Sequence, residues 1–199
     1  MRIAACSTNP GKLREFALAA QECGRTDIVI EVLSGLKQIS PPEEDGKTFE
    51  ENATKKAIYY SRFSNELVLA DDSGLEVDAL NGAPGVYSAR YAGPGASDED
   101  NNNLLLRDLG TASHRDARFV CVLALAQKEQ MLLTTRGVVE GQILISPRGE
   151  NGFGYDPLFF YPQLGRSFAE LSPEEKFSVS HRGKALRLLF ERFKAPSHA

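Results

Sequence analysis

The sequence predicts an α/β fold with a mixed sheet and a cleft, and three observations carry that expectation. Short apolar runs such as RIAAC and ELVLA interleave with capped amphipathic segments, without strict strand–helix alternation. Two longer apolar stretches, ARFVCVLALAQ and QMLLTTRGVVEGQIL, follow each other across a few polar residues and read as paired strands. The chain has 199 residues, 42% hydrophobic and 25% charged, enough to bury a core without staples, as one domain with room for two lobes.

The elements follow in order. Residues 2–6 read as a buried strand. Asn9 caps a helix that starts at Pro10, where a missing N–H costs nothing, with Leu13, Phe16, Ala17 and Ala20 on one face. DIVIEVL (27–33) is a second strand, and LKQISPPEEDGK a loop rich in proline and acid. Thr48 and Glu51 form a capping box for a helix to about Tyr60, with Phe49, Ala53, Ala57 and Tyr60 turned inward. ELVLADDSG (66–74) is a strand ending in a tight glycine turn. Ser97 and Gly110 bound a further helix, and a turn near Lys128–Gln130 joins the paired strands. The segment after Ser172–Pro173 is mostly helical, and residues 195–199 form a frayed, disordered tail.

Bulk properties exclude several classes. A net charge of -4 argues against a nucleic-acid scaffold or an anionic membrane surface, so any basic site is local. No window approaches the roughly 18 apolar residues of a membrane span, and the apolar run of MRIAACSTNPGK is too short for a signal peptide. Cys6, Cys23 and Cys121 are odd in number and scattered, which favours a reducing compartment and no thiolate metal cage. The expected location is the cytoplasm.

Chemistry concentrates in a few stretches. STNPGK places Ser7, Thr8, Asn9, Pro10, Gly11 and Lys12 at a helix start, where free N–H groups and a lysine suit phosphate oxygens; an ordinary capped helix with a surface lysine would look the same. It is not the familiar phosphate loop, because Leu13 follows Lys12 where that loop carries Ser or Thr. In ADDSG, Asp71 and Asp72 alternate between strand faces, so only one enters a cleft, where it can bind Mg2+ or orient a water; the bland alternative is a turn with solvated acids. Glu43, Glu44 and Asp45 offer hard oxygens for Mg2+ or form a solvated acidic loop. Lys56 shares a helix face with Phe49 and Asn52, and meets phosphate or snorkels. GFGYDP pairs glycines with Phe153, Tyr155 and Asp156, either a stacking surface for a flat base or a structural turn. EEKFSVSHRGKAL supplies Lys176, and His181 with Arg182 presents donors suited to purine carbonyl oxygens, though such a His–Arg pair at a helix start is more often structural. Together these describe a nucleoside polyphosphate site, and the acids speak against a mere sensor.

STNPGK, TFEENATKKA, LADDSGLEVDALNGAPGVYSARYAG, ARFVCVL, GFGYDPLF and EEKFSVSHRGKAL, in that order from Ser7 to Leu186, resemble the inosine triphosphate pyrophosphatase family, also called dITP/XTP pyrophosphatases. The resemblance implies an elongated sheet with flanking helices, two lobes around a central substrate cleft, and a homodimer. It implies hydrolysis of ITP, dITP or XTP to the monophosphate and pyrophosphate with Mg2+, one ion or more per subunit, or Mn2+. By motif, Ser7 to Lys12 would cradle the phosphates and Lys56 would reach them. Asp72 would be the general base, and Glu43 would join Asp72 at the metal, with Glu44 as the alternative. Ser73, Phe153, Gly154, Tyr155, Asp156, Lys176, His181 and Arg182 would contact the nucleotide. Phe177 departs from the family, where many members carry a small or polar residue, which puts local helix packing in question.

Overall fold

The computed structural model describes residues 1–193, so the tail expected at 195–199 lies outside the described residues. Seven strands, β1 (Arg2–Ala5), β2 (Val29–Val32), β3 (Leu67–Val77), β4 (Asp116–Gln127), β5 (Gln130–Ile143), β6 (Phe159–Tyr161) and β7 (Arg166–Ser167), form one mixed sheet in the order β2-β1-β3-β4-β5-β6-β7. β1 is parallel to β2 and β3, with Ile3 opposite Ile30 on one side and Leu67 on the other. β5, β6 and β7 pair antiparallel. The helices are α1 (Pro10–Glu22), α2 (Phe49–Tyr60), α3 (Asp98–Leu109), α4 (Pro173–Val179) and α5 (His181–Arg192). Parallel neighbours need a crossover, and α1 and α2 supply those from β1 to β2 and from β2 to β3.

Local chemistry explains most boundaries. The Asn9 side chain accepts from the Lys12 N–H, Pro10 takes the first turn, Ser97 closes a capping box with Asp100, and Ser172 closes one with Glu175. Lys128 (φ 49°) and Glu129 (φ 63°) both lie in the left-handed region, the two-residue geometry that joins twisted antiparallel strands.

Several expectations change. β3 does not turn at Gly74: it continues to Val77 because Leu75 and Val77 keep the buried alternation going, which leaves Asp71 and Asp72 inside the strand rather than at its end. Thr48 caps α2, but Glu51 closes no reciprocal box; its carboxylate accepts from the Lys47 N–H instead. Ala17 is exposed, and the inward face of α1 is Gly11, Phe16 and Ala19. The final helical segment divides at Ser180, whose backbone is extended (φ -71°, ψ 160°). Phe177 is buried, so its bulk is absorbed by the core.

The chain divides into two compact units, one of Met1–Asp72, Cys121–Gly137 and the stretch from Arg182 onward, the other of Ser73–Val120 and Val138–His181. The first has a core cluster of Ala4, Leu33, Leu36, Tyr60 and Val68. The second packs Leu75, Leu105, Phe119, Phe159 and Phe168 among others, with Phe119 and Phe168 rings stacked 5.8 Å apart. Burial of such side chains is the main favourable contribution, roughly 1.5–3 kcal/mol each. The three cysteines are free, and among the described residues no helix is long and apolar enough to cross a membrane.

Candidate functional site

In the first unit, adjacent carboxylates on β3 collect two different sets of cations. Asp71 meets Lys12 Nζ at 2.9 Å and Arg182 Nη2 at 3.2 Å, and Arg182 in turn bonds Glu15 on α1 at 2.5 Å. These four side chains carry balanced charge. Burial alone would raise the Asp71 pKa, but Lys12, Arg182 and Lys56 hold it well below the usual carboxylate range.

Asp72 faces the other set. Its Oδ2 accepts from Asn52 Nδ2 at 3.1 Å and its Oδ1 from Lys56 Nζ at 3.2 Å. Glu44 Oε1 lies 3.2 Å from the same Lys56 nitrogen. Burial pushes the Asp72 carboxyl up, and Lys56 and Lys12 pull it back only in part. Burial works against a charged Lys56, but Asp72, Asp71 and Glu44 together hold its pKa above the ordinary lysine value. One ammonium therefore meets two carboxylates, the buried Asp72 and the exposed Glu44.

The sequence left Glu43 and Glu44 open as partners of Asp72; both are exposed, and Glu44 reaches Lys56. Among the described residues, no group of three or more His, Cys, Asp or Glu side chains is arranged to hold a metal ion. A pair of carboxylates still fits Mg2+, which keeps several waters and takes one or two carboxylates together with substrate phosphates.

At the start of α1, Ser7 Oγ accepts from the Asn9 N–H at 3.2 Å, Thr8 and Asn9 are exposed, and Gly11 is buried beneath them. Lys12 stands one turn in, with its charge toward Asp71. The opening is thus a capped helix start with a lysine that already has a carboxylate partner.

In the second unit, Lys176 Nζ bonds Asp156 Oδ2 at 2.5 Å and sits 4.5 Å from the centre of the Phe153 ring. Asp156 Oδ2 also accepts from the Phe153 N–H at 2.8 Å. Gly152, at φ 77°, brings its backbone so close that an added Cβ would fall 2.1 Å from that oxygen, so only glycine fits the turn. Gly154 is fixed by the Asp98 carboxylate at 2.7 Å and by Asn102 at 2.9 Å. Phe153 is half-buried. Ser73 lies in β3 and is also half-buried. His181 is buried and stacks on Phe119 at 4.7 Å and 17°.

Two of the expected nucleotide contacts take buried positions. Tyr155 is buried and its hydroxyl donates to the Ser88 carbonyl at 2.9 Å. Arg182, 1% exposed, bonds Glu15 and Asp71 through its two terminal nitrogens. Reasoning from sequence gave no role to Glu15, and it placed Asn52 on the face of Lys56 without assigning it a partner.

Buried lysines paired with acids occur in both units, beside a capped helix start in the first and a half-buried aromatic ring in the second. Comparison with known proteins assigns the chain to a family. The Ham1 family profile matches residues 3–192. A dITP/XTP pyrophosphatase of an Exiguobacterium species is 54% identical over 95% of both chains, and one of Desulforamulus reducens is 49% identical over 96% of this chain and 94% of that one. The Ham1 protein of Staphylococcus aureus superimposes with a TM-score of 0.83 at 44% identity, covering 95% of this chain and 96% of that one. The HAM1 protein of Coxiella burnetii gives 0.84 at 42%, with the same coverage. The chain belongs to the Ham1 family.

Proposed function

We propose that this protein hydrolyses ITP, dITP and XTP to the monophosphate and pyrophosphate, removing aberrant purine nucleotides from the pool. The observation that carries the reading is Lys56, held between Asp72 and Glu44, in a chain about half identical to relatives named dITP/XTP pyrophosphatase. Asp72 orients a water toward the α-phosphorus and accepts its proton as the new P–O bond forms and the bond to the pyrophosphate oxygen breaks. Lys56 and Lys12 turn their charge to the phosphate oxygens, and the start of α1, from Ser7 to Gly11, adds backbone N–H groups.

Glu44 and Asp72 would hold the divalent cation, Mg2+ by the hardness of the donors with Mn2+ as the alternative, whose charge offsets that growing on the leaving pyrophosphate. Phe153 offers its ring to the purine, with Lys176 and Asp156 fixing the ring's place. A 6-keto purine accepts where adenine donates, so a donor at that edge, His181 or backbone N–H, would reject ATP by leaving a buried donor unpaired. A homodimer in the cytoplasm completes the proposal, and sedimentation in dilute buffer reads the first part of it.

The decisive measurement is pyrophosphate release with millimolar Mg2+ over ITP, dITP, XTP, GTP, ATP and dUTP. Values of kcat/KM at least about a hundredfold higher for ITP and XTP than for ATP are expected. Turnover that survives excess chelator, or a preference for ATP, would contradict the proposal.

A further inference from the structure

Asn52 has no part in the chemistry described so far, yet it is 1% exposed and both ends of its amide are used. Asparagine is a poor choice for the interior of a helix, and a buried amide costs stability unless it is fully bonded. The Gly46 N–H donates to Asn52 Oδ1 at 2.8 Å. A backbone N–H can only donate, so the oxygen must face the loop and the amide nitrogen must face the opposite way. On that side Nδ2 donates to Asp72 Oδ2 at 3.1 Å, while Lys56 Nζ, one turn further along α2, takes Oδ1 at 3.2 Å. The two oxygens of Asp72 are thus claimed by two donors of different kind from one helix.

The other end of the amide explains the glycine. A Cβ at Gly46 would stand 2.5 Å from Asn52 Oδ1, so the backbone there approaches as closely as any residue allows. Gly46 ends the acidic loop, two residues after the Glu44 that shares Lys56 with Asp72.

We propose that Asn52 is the positioning residue of this centre: one buried amide pins the acidic loop at Gly46 and sets the rotation of the Asp72 carboxylate. The loop acid and the strand acid then meet the same lysine in a fixed relation. This inference rests on the hydrolase reading, in which Asp72 accepts the proton of the attacking water.

Asn52→Asp is the sharpest probe, because it keeps the oxygen that receives the Gly46 N–H and replaces the donor facing Asp72 with an acceptor. With ITP and Mg2+, well below the melting temperature, kcat should fall about 10–100-fold, as for other residues that orient a reacting group, with KM within about threefold. Exchange protection of the Gly46 amide should persist. Asn52→Ala should lose both kcat and that protection, and it carries the test alone if Asn52→Asp does not fold. A residue that only supports the fold would lower the melting temperature and leave kcat intact. If kcat stays within twofold of wild type in the variants while Asp72→Asn is inactive, the clamp is wrong and the hydrolase reading stands. If Asp72→Asn itself turns over at the wild-type rate, the underlying reading falls, and this inference with it.

Discussion

Two buried lysine–carboxylate pairs, one in each unit, invite comparison. Lys176 and Asp156 are matched one to one at 2.5 Å, roofed by the Phe153 ring and closed by a backbone N–H. Lys56 has two carboxylates, Asp72 and Glu44, each at 3.2 Å. Desolvating a charge is costly, and only a close partner offsets it. The first pair lies against an aromatic ring and holds it in place. The second sets one ammonium between two carboxylates, where the proposed cation would join them.

The comparison can be broken in stages. Asp72→Asn should cost two to four orders of magnitude in kcat, the usual range for a general base, while circular dichroism stays that of the wild type. Next, Lys56→Met and Lys176→Met each leave a buried carboxylate without its ammonium and should lose about 3–5 kcal/mol. Thermal melts with millimolar Mg2+ should recover part of that loss in Lys56→Met and none in Lys176→Met. Equal recovery in both would erase the distinction. Phe153→Ala should raise the KM for ITP about tenfold or more, since stacking of a base on a ring contributes about 1–3 kcal/mol, with a smaller change in kcat. Smallest of all, Tyr155→Phe should cost about 1 kcal/mol by stranding the Ser88 carbonyl, read as a lower Tm at unchanged kcat.

The sequence was most informative where the cause is local. Asn9, Thr48, Ser97 and Ser172 cap helices through atoms two or three residues away, so their signatures are visible without a fold. The same holds for the hairpin at Lys128–Glu129, where strand ends and polar turn residues adjoin. It was least informative about Asp71 and Asp72. Two adjacent acids suggest a strand end, and they sit inside a strand only because Lys12, Lys56 and Arg182 arrive from distant segments to neutralise them. Tyr155 stayed undecided for the opposite reason: an aromatic between glycines shows nothing of the distant carbonyl that receives its hydroxyl. β7, only two residues long, carries no periodic signal at all.

One consequence follows from the placing of Asp71 and Asp72. Because neighbouring positions of a strand point to opposite sides, parity along β3 alone decides which acid meets Lys12 and which meets Lys56. β1 counts that parity through Ile3 against Leu67 and Ala5 against Leu69. Deleting a single residue between those pairings and the acids would carry Asp72 to the place that faces Lys12 and bring Ser73 to the place that faces Lys56, so a chain could fold and yet lack a carboxylate beside Lys56. The spacing of Leu67 to Ala70 is therefore under tighter restraint than the identity of its apolar side chains.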